Sequence, residues 1–215
     1  MLKKSFIFSF VVVLVLSLAA ISFAHPGKLD ANGGHYDKET GEYHYHKGPN
    51  ALESLEVRRN TVYKAKVERV VDGDTAIISF IFDDGSKYLK ERVRFLGVNT
   101  PETVHPNKPV EYYGKEASNF TKSELTDKTV WLQTDVEVKD RYGRMLAYVW
   151  MKEPSKKDLD DENSIHEYMF NAKLLLDGYA QLMTIQPNSR YSNLFVHFQR
   201  EARQDNRGLW GKEPD

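Results

Sequence analysis

The stretch that most restricts the fold is "TVYKAKVERVVDGDTAIISFIFDDGSKYLKERVRFLGV", residues 61–98. Apolar and polar residues alternate through three runs rich in Val, Ile, Phe and Tyr, and "DGD" and "DDGS" separate the runs. A period of two marks a strand with one buried face, and Asp-Gly steps form turns. The reading is three consecutive antiparallel strands over about 61–71, 74–82 and 87–97. From Glu111, "EYYGKEASNFTKSELTD" spaces Ala117, Phe120 and Leu125 as a helix does and ends near Asp127. "TVWLQTD" (129–135) and "GRMLAYVWM" (143–151) supply two more strands. Helices are expected near 164–176, closed by Gly178, and near 192–205. "KEPSKKDLDDEN" (152–163) reads as a solvated, charged loop.

Five strands, with one helix between the third and fourth and more after the fifth, indicate a β-rich α+β fold. The expected architecture is a five-stranded OB-fold barrel with about three helices, plus a small His-rich N-terminal appendage. Such barrels often bind oligonucleotides on one face, but the fold alone does not make an enzyme.

The segments ahead of the barrel differ in character. Lys3 and Lys4 precede an almost wholly apolar run from Phe6 to Ile21, and Ser22 to Ala24 offers small residues where a signal peptidase reads. A signal peptide over residues 1–24 and a secreted or cell-surface location are expected, with no stable membrane span after cleavage. The other reading of this run is a membrane anchor, whose length it approaches. Cysteine is absent, which excludes a disulfide framework and attachment of lipid at a cysteine. With 30 basic and 31 acidic residues the chain is nearly neutral, so phosphate recognition must come from a local site rather than a basic surface.

Residues 25–48, "HPGKLDANGGHYDKETGEYHYHKG", hold His25, His35, His44 and His46. An extended chain puts His44 and His46 on one face and the neighbouring tyrosines on the other. With His35 and either His25 or Asp30 folded over them, they offer a tetrahedral zinc site. A polar tail with incidental histidines is the alternative. Residues 49–60 read as a charged linker.

Within the barrel region three places carry polar residues that local structure does not require. In "VVDGDT", Asp72 and Asp74 flank Gly73, where a plain turn needs one Asp. In "VRFLGVNTPE", a buried strand ends among Arg94, Asn99, Thr100 and Glu102. In "KDRYGR", a turn carries Lys139, Arg141, Tyr142 and Arg144, and alone would pass for a solvated hairpin tip. Together they suit phosphodiester cleavage. Arginines fork onto phosphate oxygens and keep their charge, a hard cation held by oxygens locates a water, and a glutamate accepts its proton.

Asp72-Gly73-Asp74-Thr75, "RFLGVNTPE", the "GKEAS" helix start at Gly114, "DRYGRMLAYVW" and "LLLDGYAQL" follow in that order. On these motifs the chain resembles the staphylococcal thermonuclease (micrococcal nuclease, SNase-like) family from about Thr61 to Trp210. The loop "TVHPNKPVEYYG" resembles the staphylococcal enzyme's own. The resemblance implies an OB-fold domain over residues 61–212 and a calcium-dependent nuclease that acts on DNA and RNA and leaves 3′-phosphates. It places the catalytic arginines at Arg94 and Arg144 and the catalytic glutamate at Glu102. The implied calcium ligands are Asp74, Asn99 and Thr100, the last through its main-chain carbonyl. Arg141 and Tyr142 match positions that hold a terminal phosphate.

Two departures stand out. Asn99 occupies the place of a second metal aspartate, and Thr184 and Gln186 stand where tyrosines flank the base. The N-terminal block resembles the YHYH-type modules of exported bacterial proteins, a likeness that does not settle its role. Arg94, Glu102 and Arg144 lie at strand ends and loops, so replacing them is expected to spare the fold. A monomer is expected. The rival classes are an OB-fold nucleic-acid-binding protein without catalysis, which would not need all three residues, and a surface metal-binding protein acting through the His-rich module.

Overall fold

A computed structural model describes residues 57–81, 87–103 and 109–211, and the backbone alone of 34–36, 43–45 and 87–89. The leader 1–24, His25, His46 and linker residues 49–56 lie outside the described residues. In the His-rich module, β1 (Gly34–Tyr36) pairs antiparallel with β2 (Tyr43–Tyr45), and His35 is the backbone partner of His44.

The alternating stretch folds as expected. β3 (Val62–Asp72), β4 (Thr75–Ile81) and β5 (Lys87–Phe95) pair antiparallel in sequence, and Asp72↔Thr75 closes the first hairpin. Every second residue turns inward, so Ala65, Val67, Ala76, Ile78, Phe80, Val93 and Phe95 fill the barrel. Where one strand had been expected to run on to residue 97, the chain bends after Phe95 and continues as β6 (Gly97–Asn99). Gly97 makes the bend with φ 76°, a left-handed backbone that disfavours side chains. A Cβ there would also stand 2.4 Å from the Phe195 ring.

Then come α1 (Gly114–Leu125), β7 (Thr129–Gln133) and β8 (Met145–Trp150). β8 pairs antiparallel with β7 and parallel with β5, while β7 pairs with β3, closing a five-stranded barrel in the order β3-β4-β5-β8-β7. The parallel β5–β8 pair needs a long crossover, which α1 and β7 provide.

The helix expected over 164–176 is two helices, α2 (Glu162–Tyr168) and α3 (Phe170–Leu176), which makes four in all among the described residues. Met169 between them is extended (φ −90°, ψ 117°) and bridges Trp150, while Met151 N–H donates to the Tyr168 carbonyl at 2.8 Å. The sheet captures one residue, and the helix breaks there. The charged loop is partly ordered by α2, whose cap Asp161 accepts from Ser164 N–H at 2.8 Å. β9 (Gln181–Met183) and α4 (Ser192–Gln204) finish the fold. β9 pairs with β6, outside the barrel, with Asn99 opposite Gln181 and Gly97 opposite Met183. No helix among the described residues is long and apolar enough to cross a membrane.

Candidate active site

The β3–β4 turn, the β5–β6 bend and the turn before β8 meet at one end of the barrel around a cleft of about 390 Å³. Its lining includes Asp72, Asp74, Arg94, Asn99, Thr100, Glu102 and Arg144. Six of these are residues the sequence singled out for catalysis or metal, drawn from segments up to 70 positions apart.

Each is held by a local device. Asp74 is 7% exposed and its Oδ2 accepts from Thr100 N–H at 3.0 Å and from Arg94 Nη1 at 3.1 Å. Its Oδ1 accepts from Thr75 Oγ1 at 3.0 Å. Gly73 is needed beside it because a Cβ there would lie 2.6 Å from Thr100 Oγ1. Thr121 of α1 secures the same turn by donating to the Gly73 carbonyl at 2.7 Å. Asp72 accepts from Thr103 Oγ1 at 2.6 Å and from Gly73 N–H at 2.8 Å. Burial pushes its carboxyl above the ordinary value against those hydrogen bonds, and the charges of Asp74 and Glu102 push the same way.

Arg94 is not at an exposed strand end: it is 5% exposed and both its terminal nitrogens are engaged. Nη1 donates to Asp74 and to the Phe95 carbonyl at 3.0 Å, and Nη2 donates to Asn99 Oδ1 at 3.1 Å. Burial lowers its pKa, the Asp74 charge raises it, and the nearby Arg144 charge lowers it again. A guanidinium remains charged under all of these influences. The expectation that replacing Arg94 spares the fold is therefore corrected, because the change would strand Asp74 in a buried position.

Arg144 is only partly buried and is aimed from its root. Nε donates to Asp140 Oδ2 at 2.7 Å, and its main-chain N–H donates to Oδ1 at 3.0 Å. Its terminal nitrogens have no acceptor among the described residues, which leaves them for a ligand. Arg141 and Tyr142 are exposed on the same turn, Arg141 donating to the Tyr142 hydroxyl at 2.6 Å and lying 4.8 Å over its ring. Glu102 is half-buried, and its backbone is pinned on both sides by Glu111. Glu102 N–H donates to Glu111 Oε2 at 3.0 Å, and Glu111 N–H donates to the Glu102 carbonyl at 3.0 Å.

Apart from the Met183 sulfur, the cleft offers oxygen donors to a cation, a set that suits a hard ion. Among the described residues no three His, Cys, Asp or Glu side chains cluster to hold a metal, so carboxylates alone do not build the site. Asn99 and Thr100 line the same wall and add neutral oxygens to it. Among the described residues the buried Thr100 Oγ1 has no hydrogen-bond partner, which marks unsatisfied oxygen capacity at this wall. Asp74 Oδ2 already accepts from both Arg94 and Thr100 N–H, while Asp74 Oδ1 and Asn99 Oδ1 each accept one hydrogen bond among the described residues and keep a second lone pair.

This geometry agrees with what the chain is similar to. The model of the staphylococcal nuclease homologue family matches residues 92–212. The chain belongs to the staphylococcal nuclease family. It is 45% identical over 163 residues to the thermonuclease of Staphylococcus intermedius, covering 76% of this chain and 83% of that protein. It is 42% identical over 145 residues to the thermonuclease of Staphylococcus hyicus, covering 67% of this chain and 74% of that one. It is 31% identical over 218 residues to endonuclease YncB of Bacillus subtilis, covering 98% of this chain and 93% of that protein.

Within this nuclease-family fold, sequence reasoning missed Asp140, Glu111 and Met183. Asp140 had a readable signal, since Asp three residues before Gly143 is a turn pattern and its Oδ1 accepts Tyr142 N–H at 2.8 Å. Met183 had none. It lines the cleft from β9 with its sulfur 3.8 Å from Arg94 Nη2, whereas neither Thr184 nor Gln186 is among the lining residues. Pairing with β6 sets which residue of this segment faces the cleft.

Proposed function

We propose that this protein is an exported, calcium-dependent nuclease that hydrolyses phosphodiester bonds of DNA and RNA and leaves 3′-phosphates. The observation that carries the reading is the convergence of Arg94 and Arg144 on one cleft with Glu102 and Asp74. Two fixed positive charges facing acidic oxygens suit a reaction in which a phosphate gains negative charge.

Asp74, Asn99 and the Thr100 carbonyl would hold calcium, which when bound supplies Lewis acidity and locates the attacking water. Glu102 accepts the proton of that water as its oxygen bonds to phosphorus. The bond from phosphorus to the 5′-oxygen breaks, that oxygen leaves with the bonding pair and takes a proton from solvent to become the 5′-hydroxyl, and the phosphate stays on the 3′-side. Arg94, locked by Asp74 and Asn99, presents a preset charge to the non-bridging oxygens. Arg144, with free terminal nitrogens, forks onto the same phosphate. Arg141 and Tyr142 hold a terminal phosphate at the cleft's edge.

Support for the nuclease reading comes also from the thermonuclease and endonuclease relatives. Support for export comes from the sequence of residues 1–24. The His-rich module is proposed to bind zinc through His25, His35, His44 and His46. Saturable zinc binding that residues 25–48 confer, and that weakens as imidazoles protonate below about pH 6.5, is the expected result.

The deciding experiment incubates purified residues 25–215 with plasmid DNA and with RNA, with calcium or with a chelator. Cleavage of both in calcium alone, with 3′-phosphate ends, is expected. Binding without cleavage would return the protein to the class of OB-fold binding modules.

A further inference from the structure

Beside the main cleft runs a second groove of about 460 Å³, lined by Arg92, Tyr142, Gly143 and Arg144. Arg92 and Arg144 line both, so the two spaces are continuous. Arg92 carries none of the roles assigned above.

Its position follows from strand geometry. On β5 residues two apart share a face, so Arg92 and Arg94 point to the same side, about 7 Å apart along the strand. The parallel register pairs Val93 with Met145 and Arg94 with Leu146. Continued by one residue, that register sets Arg92 beside Arg144. Like charges on neighbouring strands repel, and a fold carries such a pair at a cost unless an anion lies between them. Asp140 answers Arg144 at Nε, but among the described residues no carboxylate pairs with Arg92. Tyr142 adds an aromatic face to this groove. It is 67% exposed, and the Arg144 guanidinium lies 5.4 Å from its ring centroid. Cations along the path and a ring open to solvent are the parts of a site for a single strand of nucleic acid.

We propose that Arg92, with Arg144 and Tyr142, forms a subsite for the phosphodiester next to the one being cleaved. The substrate class is then a single strand that runs past the cleaved nucleotide, with a base against Tyr142 and the next phosphate on Arg92. This rests on the nuclease reading for its reaction but not for its binding.

The test uses oligothymidylates of increasing length, starting from the dinucleotide TpT, with the wild-type protein, Arg92→Gln and Arg92→Lys. In calcium, wild-type kcat/KM should rise about tenfold at one step in length, the worth of one charge-assisted hydrogen bond. Arg92→Gln should lose that step, and Arg92→Lys should keep part of it. Binding of a fluorescent oligothymidylate without metal should weaken in Arg92→Gln. The slope of log affinity against log salt should become shallower by about 0.7, the worth of one single-strand phosphate. If the wild-type protein binds but does not cut, the nuclease reading falls while the binding data still judge the subsite. The subsite is overturned if the wild-type protein does not bind the strand, or if Arg92→Gln binds with the same affinity and salt slope. A loss of kcat/KM by one factor at every length overturns it as well.

Discussion

Asp140 grips Arg144 twice, accepting from its Nε at 2.7 Å and from its main-chain N–H at 3.0 Å. The turn and the Arg144 side chain are thus one unit, and the guanidinium reaches the cleft with its inner nitrogen already occupied. Asp140→Ala should lower kcat by about 10- to 100-fold through misplacement of Arg144, with circular dichroism unchanged. Asp140→Asn keeps an acceptor and should lose less. Equal loss in both variants would separate Asp140 from the aim of Arg144.

The same carboxyl sets a pH dependence. Partial burial alone would raise its pKa, but hydrogen bonds from Arg144 and Tyr142 outweigh burial and hold it below the ordinary value of 3.8. A carboxyl depressed in the folded state adds stability above its unfolded pKa and loses it as pH falls through the folded one. Wild type should therefore exceed Asp140→Asn in unfolding free energy at neutral pH, and the gap should close below about pH 4. Denaturant titrations of both proteins across that range are the check, and a constant gap contradicts the assignment.

Arg94 and Arg144 should separate in stability though not in activity. Removing either, or changing Glu102 to Gln, should cut turnover by about 10²–10³. Arg94→Ala should in addition cost about 3–5 kcal/mol, because Asp74 keeps a buried charge without its partner. Arg144→Ala is only partly buried and should cost under about 1 kcal/mol. Thermal midpoints measured beside rates will show whether the two arginines differ in this way.

Asn99→Asp should lower the calcium concentration for half-maximal cleavage. An amide oxygen can ligate calcium, but a carboxylate adds a negative charge, and charge count tunes affinity in oxygen sites. The products should not change. A calcium titration of both proteins on one DNA decides the matter, and an equal or higher requirement in the variant removes Asn99 from the ligand set.

Asn171 is wholly buried, accepting from Val149 N–H at 2.7 Å and donating to the Leu96 carbonyl at 2.8 Å. It ties β8 to the bend that launches β6. Asn171→Leu should leave two buried main-chain groups unpaired, at about 1–3 kcal/mol each. The denaturant midpoint should fall with the slope unchanged, and activity should fall because Asn99 and Thr100 follow that bend.

The barrel was legible because strand alternation and Asp-Gly turns are local. Burial on one face dictates a period of two, and that period survives in the linear order of residues 61–98. The candidate site was legible for a different reason, since its polar residues stand at strand ends where nothing local calls for them. What sequence could not supply depends on contacts between distant segments. Met169 breaks a helix because Trp150 offers a backbone partner. Met183, not Thr184, faces the cleft because β9 pairs with β6 in one register. Arg94 is buried because Asp74, Asn99 and the Phe95 carbonyl close around it. By itself the sequence determined which polar residues stand out as candidates for the chemistry and which strands bear them. Only the tertiary structure decided which of them is locked and which is free to meet a ligand, because burial and pairing are properties of the assembled barrel.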